Sequence, residues 1–197
     1  NASREGSKAS FGINWPRIGL VECLEAAKAH PHYSTAIPEN GGRGVSCGFW
    51  FNHGGETAVS LALAEDGTVS LSVGTPDIGG SRASMCMMAA EELGIQYDDI
   101  RTTIADTATL GYNEISHGSR VTYASGLATI EAARDTIKKL CKRAAAKWGI
   151  DEDAVYWEDG CAKPSGPNAG EFEPMSLAKI ASKMGATGGP IVGHYEA

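Results

Sequence analysis

An α+β fold is expected, a two-layer sandwich in which a mixed, largely antiparallel sheet carries helices on one face. Three observations lead there. Apolar residues alternate with small or polar ones over three neighbouring runs. The apolar period then changes from that of a strand to that of a helix. Glycine-bearing junctions lead from strands into helices at two places.

The elements follow in order. Asn14-Trp15-Pro16 opens a helix, with asparagine as N-cap and proline in the first turn. Leu20, Val21, Leu24 and Ala27 give it an apolar face, and His30-Pro31 stops it. Residues 33–43, with Pro38, Asn40, Gly41 and Gly42, read as a loop. Val45, Cys47, Phe49 and Phe51 then point one way, with Ser46, Gly48 and Trp50 between them. Val59, Leu61 and Leu63 repeat the alternation, as do Val69, Leu71 and Val73. Asn52-His53-Gly54-Gly55 and Glu65-Asp66-Gly67 supply turns, so the three runs are expected as an antiparallel meander with one buried face.

Met85, Met88, Ala89 and Leu93 mark a helix that Gly94 ends. Residues 100–105 form a short strand. A long helix runs from about Ser119 to Trp148, its apolar stripe being Tyr123, Leu127, Ile130, Ile137, Cys141, Ala144 and Trp148. Val155 to Trp157 is a strand turning at Asp159-Gly160, and Ser176 caps a last short helix that Gly185 ends.

Composition narrows the function classes. The 197 residues suit one domain, or two small lobes sharing a core, and 42% hydrophobic residues is ordinary for a globular chain. A net charge of −7 argues against a nucleic-acid partner, because non-specific binding needs a basic surface. The basic residues between Arg134 and Lys147 read as the solvated face of one helix. No apolar run approaches the roughly 20 residues of a membrane helix, and the polar N-terminus does not read as a secretory leader. The 5 cysteines (23, 47, 86, 141 and 161) form no C-x-x-C pair and fit reduced thiols, so a cytoplasmic location without a membrane partner is expected. Histidines 30, 32, 53, 117 and 194 do not stand at zinc-ligand spacing with any cysteine, so no directly bound metal is expected.

The two glycine junctions carry the functional signal. One is Gly74-Thr75-Pro76-Asp77-Ile78-Gly79-Gly80-Ser81-Arg82; the other runs from Gly111 through Tyr112, Asn113, Glu114, Ile115, Ser116 and His117 to Gly118-Ser119-Arg120. A helix start leaves backbone N–H groups unpaired and carries partial positive charge, and glycine lets a ligand approach that backbone. Each junction therefore reads either as an anion cradle or as an ordinary capped helix start, with Ser81 and Ser119 as the caps. Neither matches a G-x-G-x-x-G or a G-x-x-x-x-G-K-[ST] motif, and no serine sits in a G-x-S-x-G elbow.

At these same junctions the sequence resembles the large subunits of molybdenum hydroxylases, the xanthine dehydrogenase, aldehyde oxidase and carbon monoxide dehydrogenase family. The similar residues are Asp66-Gly67-Thr68-Val69, Gly74-Thr75-Pro76-Asp77-Ile78-Gly79, Ala89-Ala90-Glu91-Glu92-Leu93-Gly94-Ile95, Asp106-Thr107 and Gly118-Ser119-Arg120-Val121-Thr122. Order and spacing agree over roughly residues 44–150. The resemblance implies that the loops hold a molybdopterin cofactor, in its cytosine dinucleotide form, through Gly79, Gly80, Ser81 and Arg82 and through Gly118, Ser119 and Arg120. It further implies hydroxylation of a heterocycle or aldehyde, or oxidation of carbon monoxide, with water as oxygen source. Electrons would leave through an iron–sulfur partner to an FAD partner.

Two departures stand out. Many members have Gly-Gln-Gly in the first loop, where this chain has Gly80 in the Gln place and Ser81 after it. The family's active-site Glu belongs to a glycine-rich segment, and Glu171 and Glu173 lack that context. Residues 1–197 are accordingly expected to be part of the molybdopterin-binding region of a larger subunit, inactive and cofactor-free by themselves. Within them 44–150 is the best-matching core, 151–197 the start of a second lobe or a connecting segment, and Asn1-Ala2 a tag remnant. A non-catalytic anion- or nucleotide-binding module and a subunit-assembly domain are the alternatives.

Overall fold

The computed structural model describes residues 2–48, 50, 53–104 and 106–196. The chain divides after Gly48 into two units. In the first, helix α1 (Leu20–Ala29) starts later than its sequence suggests. Asn14 pairs with Lys8 in an isolated bridge instead of capping, and the N-cap is Gly19 at φ 62°. The predicted stop holds: a single 3₁₀ turn, Pro31–Ser34, follows His30. None of the α1 residues is buried, so the apolar spacing describes a face and not a core contact.

The second unit contains β1 (Ala58–Leu63), β2 (Val69–Val73), α2 (Ser81–Leu93), β3 (Ile100–Ile104), α3 (Gly126–Trp148), β4 (Val155–Glu158), β5 (Cys161–Pro164), β6 (Met175–Ser176), α4 (Leu177–Ala181) and β7 (Val192–Glu196). Its main sheet has the order β3-β2-β1-β7, with β2–β3 parallel and the other pairings antiparallel. The α+β class and the mixed, largely antiparallel sheet therefore stand. The three-strand meander does not. Of the run predicted as its first strand, residues 45–48 and Trp50 are not in a strand, and Phe49 and Phe51 lie outside the described residues. The physical reason is competition for one edge: β7, far along the chain, pairs with β1 from Ala58 opposite Glu196 to Ala62 opposite Val192.

Alternation works as the sequence suggests in β1 and β2. Val59, Leu61, Leu63, Val69, Leu71 and Val73 are buried on one face, with serines largely on the other. The Asp66 carboxylate closes their turn by accepting the Thr68 amide at 2.9 Å and the Thr68 hydroxyl at 2.7 Å. Gly94 ends α2 in the left-handed region at φ 69°.

The buried face of α3 matches the predicted stripe only in part: Ala144 is buried and Ile137 and Trp148 pack against the core, but the stripe's first residues do not. Ala128, Thr129, Ala132, Ala133, Thr136, Leu140, Ala144 and Ala145 are buried, whereas Tyr123 is 52% and Leu127 46% exposed. Small side chains face inward because α3 lies almost on the backbone of β7: a Cβ on Gly193 would fall on the Thr136 hydroxyl and the Ala132 carbonyl. Gly193→Ala is expected to lower the unfolding free energy by about 1–3 kcal/mol through overpacking. A neighbouring change on the exposed face, His194→Ala, should shift it by no more than about 0.5 kcal/mol in the same urea titration.

Residues after 150 complete the same core. β4, β5 and β6 form a small antiparallel sheet whose turn contains Asp159 at φ 51° and Gly160 at φ 71°. The Trp157 indole N–H donates to the Leu93 carbonyl at 3.0 Å, fastening this sheet to the end of α2. Ser176 caps α4 as predicted, accepting the Lys179 amide at 3.2 Å; the helix ends before Ser182, and Gly185 lies in a following 3₁₀ turn. Among the described residues no helix is long and apolar enough to cross a membrane.

Thiol chemistry gives a direct probe of this packing. Burial pushes the Cys141 thiol on α3 up to about 11, so near pH 8 it stays protonated and is a poor nucleophile. Iodoacetamide is expected to label the exposed Cys23 and Cys47 first, as read by peptide mass spectrometry. Equal labelling of Cys141 would mean that α3 does not pack as described.

Candidate functional site

Parallel pairing of β2 with β3 decides where the site forms. Val69 stands opposite Ile100 and Val73 opposite Ile104, so both strands end at the same edge of the sheet. β1, antiparallel to β2, begins at that edge, with Val59 opposite Val73. The segments 53–57, 74–80 and 106–120 therefore gather at one end. Open sheets bind ligands in such crevices, outside the carboxyl ends of their parallel strands. The strand–helix–strand order β2-α2-β3 was the available sign of this pairing, since parallel neighbours need a crossover. Sequence reasoning passed over it.

The two glycine junctions touch. A Cβ on Gly74 would meet Asn113 Nδ2 at 2.7 Å and the Gly111 carbonyl at 2.8 Å. Asn113 Nδ2 in turn donates to the Ala58 carbonyl at 3.2 Å. Deeper in, α2 and α3 approach at Gly126, where a Cβ would lie 2.8 Å from Met88 Sδ. The helix starts are thus held side by side, and Ile78, Ser81 and residues 116–123 line one cleft of about 670 Å³.

In the first loop Gly79 and Gly80 are left-handed, at φ 66° and 80°, and a Cβ on either would meet nothing within 4 Å. Their backbone borders open space. Gly80, not Ser81, is the N-cap of α2; Ser81 is buried and its hydroxyl donates to the Pro76 carbonyl at 3.0 Å. Arg82 has a local partner. Its amide donates to Asp77 Oδ1 at 2.9 Å, and its Nε stands 3.6 Å from Asp77 Oδ2 with the side chain 57% exposed. Arg82 is not among the side chains that line the cleft.

In the second loop Gly118 and Ser119 are consecutive left-handed residues, at φ 53° and 55°. The Gly118 carbonyl accepts the His53 amide at 2.9 Å, and a Cβ on Gly118 would lie 2.7 Å from His53 Cβ. For serine the left-handed region costs about 1–2 kcal/mol, a strain that surrounding contacts must hold in place. Ser119 is not a cap; the chain enters α3 through a π-helical turn, Val121–Ser125.

Arg120 is wholly buried. Its Nε donates to the Gly54 carbonyl at 2.7 Å and its Nη1 to the Glu114 carbonyl at 2.9 Å. Its Nη2 donates to the carbonyls of Gly55 at 3.2 Å and Glu56 at 3.0 Å, and to the Thr57 hydroxyl. Glu114 Oε2, 3.9 Å from Nε, opposes the charge. Arg120 thereby ties residues 54–57 to the second loop. Sequence reasoning missed His53 and Glu114, which converge here with His117: each histidine Nε2 is 3.6 Å from Glu114 Oε1.

The cleft suits an anion with several acceptor oxygens. Serine, threonine, tyrosine and histidine line it over the buried Arg120, with no aspartate or glutamate among the described lining residues. Two helix starts add partial positive charge. In the loop after β3, the Thr109 hydroxyl foremost, with the Ala108 amide, holds the Asp106 carboxyl below the usual carboxylate value.

A family model described as molybdopterin cofactor-binding domain matches residues 23–196. A subunit of the nicotinate dehydrogenase of Pseudomonas putida is 26% identical over 125 residues, which is 63% of this chain and 10% of that protein. The carbon monoxide dehydrogenase large chain of Afipia carboxidovorans is 34% identical over 102 residues, 51% of this chain and 13% of that one. Among solved structures, a Cu,Mo-CO dehydrogenase in its carbon monoxide reduced state superposes with a TM-score of 0.65 at 24% identity, covering 72% of this chain and 18% of that chain. Quinoline 2-oxidoreductase from Pseudomonas putida 86 gives 0.59 at 17% identity, covering 72% and 19%. The two structures establish the fold.

Proposed function

Because the chain belongs to the molybdopterin cofactor-binding domain family, we propose that it forms part of the molybdenum-cofactor-binding subunit of an oxidoreductase and holds the cofactor's phosphate and pterin groups in the cleft between its glycine loops. One observation carries the placement: the cleft runs between both helix starts and is lined by serine, threonine, tyrosine and histidine, with no carboxylate among the described lining residues. The residues fit such a group. Gly79 and Gly80 leave room beside their backbone, and Ser119 and Thr122 add hydroxyls. When bound, the cofactor supplies oxidative hydroxylation of a heterocycle or aldehyde, or oxidation of carbon monoxide, with oxygen from water.

The chain's own residues bind and orient. Gly118 permits close approach of His53, Arg120 fixes the second loop, and Arg82 reaches the cleft only by leaving Asp77. Exposed Ile78, Tyr112, Ile115 and Tyr123 fit burial against further parts of a larger subunit, whose relatives exceed this chain severalfold in length. We assign the cytosine dinucleotide form of the cofactor, with iron–sulfur and FAD partners as electron carriers, by the resemblance in the loops.

Metal and nucleotide analysis of the full-length subunit, purified with its partners, tests the reading. Molybdenum together with released CMP is the expected result. Molybdenum without CMP would remove the dinucleotide form, and neither would overturn the assignment. The 197-residue chain alone is expected to fold and to carry no molybdenum, since its loops form only part of the pocket. Stoichiometric molybdenum in that chain would refute this.

A further inference from the structure

We propose that His53, Glu114 and His117 form a binding site for a divalent transition-metal ion of the zinc type. Each residue offers a ligand atom, and the three atoms lie within 4.8 Å of one another. Both histidine Nε2 atoms stand 3.6 Å from the same oxygen, Glu114 Oε1. That spacing is longer than a hydrogen bond and right for a shared ion. Two ligands about 2.1 Å from one ion and 3.6 Å apart subtend roughly 118°, near the tetrahedral angle. The imidazole rings are tilted at 45° with centroids 4.6 Å apart.

The scaffold is built to hold these groups. The His53 amide donates to the Gly118 carbonyl at 2.9 Å, and the Glu114 amide to the Glu56 carbonyl at 3.0 Å. Gly55 has no Cβ; one there would land on the Glu114 carboxylate. The buried Arg120 faces the other carboxylate oxygen, Oε2, while Oε1 faces the histidines. A carboxylate with one oxygen toward a fixed neighbour and the other toward the ion follows the usual pattern of outer-shell support. Two imidazoles and one carboxylate favour zinc, nickel or copper over magnesium or calcium, which prefer all-oxygen sites. The side chains are 42%, 37% and 29% exposed for His53, His117 and Glu114, so water completes the coordination. Arg120 opposes the ion's charge, and an affinity of micromolar order is expected rather than a tighter one.

His117 belongs both to this cluster and to the lining of the cleft. The site nevertheless stands on its own geometry and does not rest on the cofactor assignment. Zinc binding by the chain and molybdenum loading of the larger subunit are separate measurements, and either result can fail alone.

The experiment is calorimetric titration of the chelator-treated 197-residue chain with zinc chloride. One equivalent is expected, and His53→Ala and His117→Ala should each weaken it by about tenfold or more. Combined His30→Ala and His32→Ala should leave it unchanged. Circular dichroism confirms that each variant is folded. Nitrogen-detected histidine NMR on the unaltered chain supplies a readout that needs no variant, with zinc shifting the ring signals of His53 and His117. No saturable binding, binding unchanged in both single variants, or shifts confined to other histidines would overturn the proposal.

Discussion

Arg120→Leu is expected to lower the unfolding free energy by about 3–5 kcal/mol, because several buried carbonyl oxygens lose their donor at about 1–3 kcal/mol each. The guanidinium has no solvent contact, and its loss removes the donor that the carbonyls of Gly54, Gly55 and Glu114 now share. A single domain has only about 5–15 kcal/mol in total, so the variant should be marginal or unfolded. Lysine is not a substitute. Its compact ammonium cannot span acceptors arranged around a planar fork. Urea titration of the chain checks this, with Arg82→Ala as the contrast, because the Arg82 side chain is 57% exposed. Similar losses in both variants would contradict the buried environment of Arg120.

Gly118→Val should have the largest effect on function. The site is left-handed, and a branched side chain would press on His53. Backbone strain and overpacking together cost about 2 kcal/mol or more. In the full subunit, molybdenum occupancy is expected to fall by an order of magnitude or more. Ser119→Gly separates stability from binding. Glycine relieves the left-handed strain, adding about 1 kcal/mol of stability, while removing a hydroxyl from the cleft. The expected pair of readings is a higher urea midpoint and lower molybdenum occupancy. Arg82→Ala should reduce occupancy less than Gly118→Val. Full occupancy in the valine variant would return this loop to a purely structural role.

Local signals in the sequence made much of this legible. Alternating apolar residues marked β1 and β2, and Gly94 marked the end of α2, because these features depend on neighbours within a few positions. The pairing of β7 with β1 depends on residues distant in sequence, and nothing local announces it. The buried face of α3 was read only in part, for a related reason. Size usually marks the inward side, but where α3 crosses Gly193 the chains come so close that Ala132 and Thr136 fill the contact. Within the site, two Gly-Ser-Arg sequences look alike and behave differently. Arg82 pairs with Asp77 five residues away, while Arg120 is enclosed by residues 54–57. Those enclosing residues also carry the link to His53 and Glu114, which is why the histidine–glutamate cluster escaped a search for ligand spacing along the chain.

The strand order also sets a timetable. As the chain is synthesised, β1 and β2 emerge before β7, residues 192–196, which is the second neighbour of β1. At a few to tens of residues per second, the stretch from Leu63 to Val192 takes on the order of ten seconds to make. Throughout that interval one edge of β1 has no strand beside it, and the alanine face of α3 has not yet met Gly193. Ala58, which anchors Asn113 and Tyr112 of the second loop, is the residue opposite Glu196. Both glycine loops are therefore translated well before the edge that steadies them, and the cleft matures only when the sheet is closed.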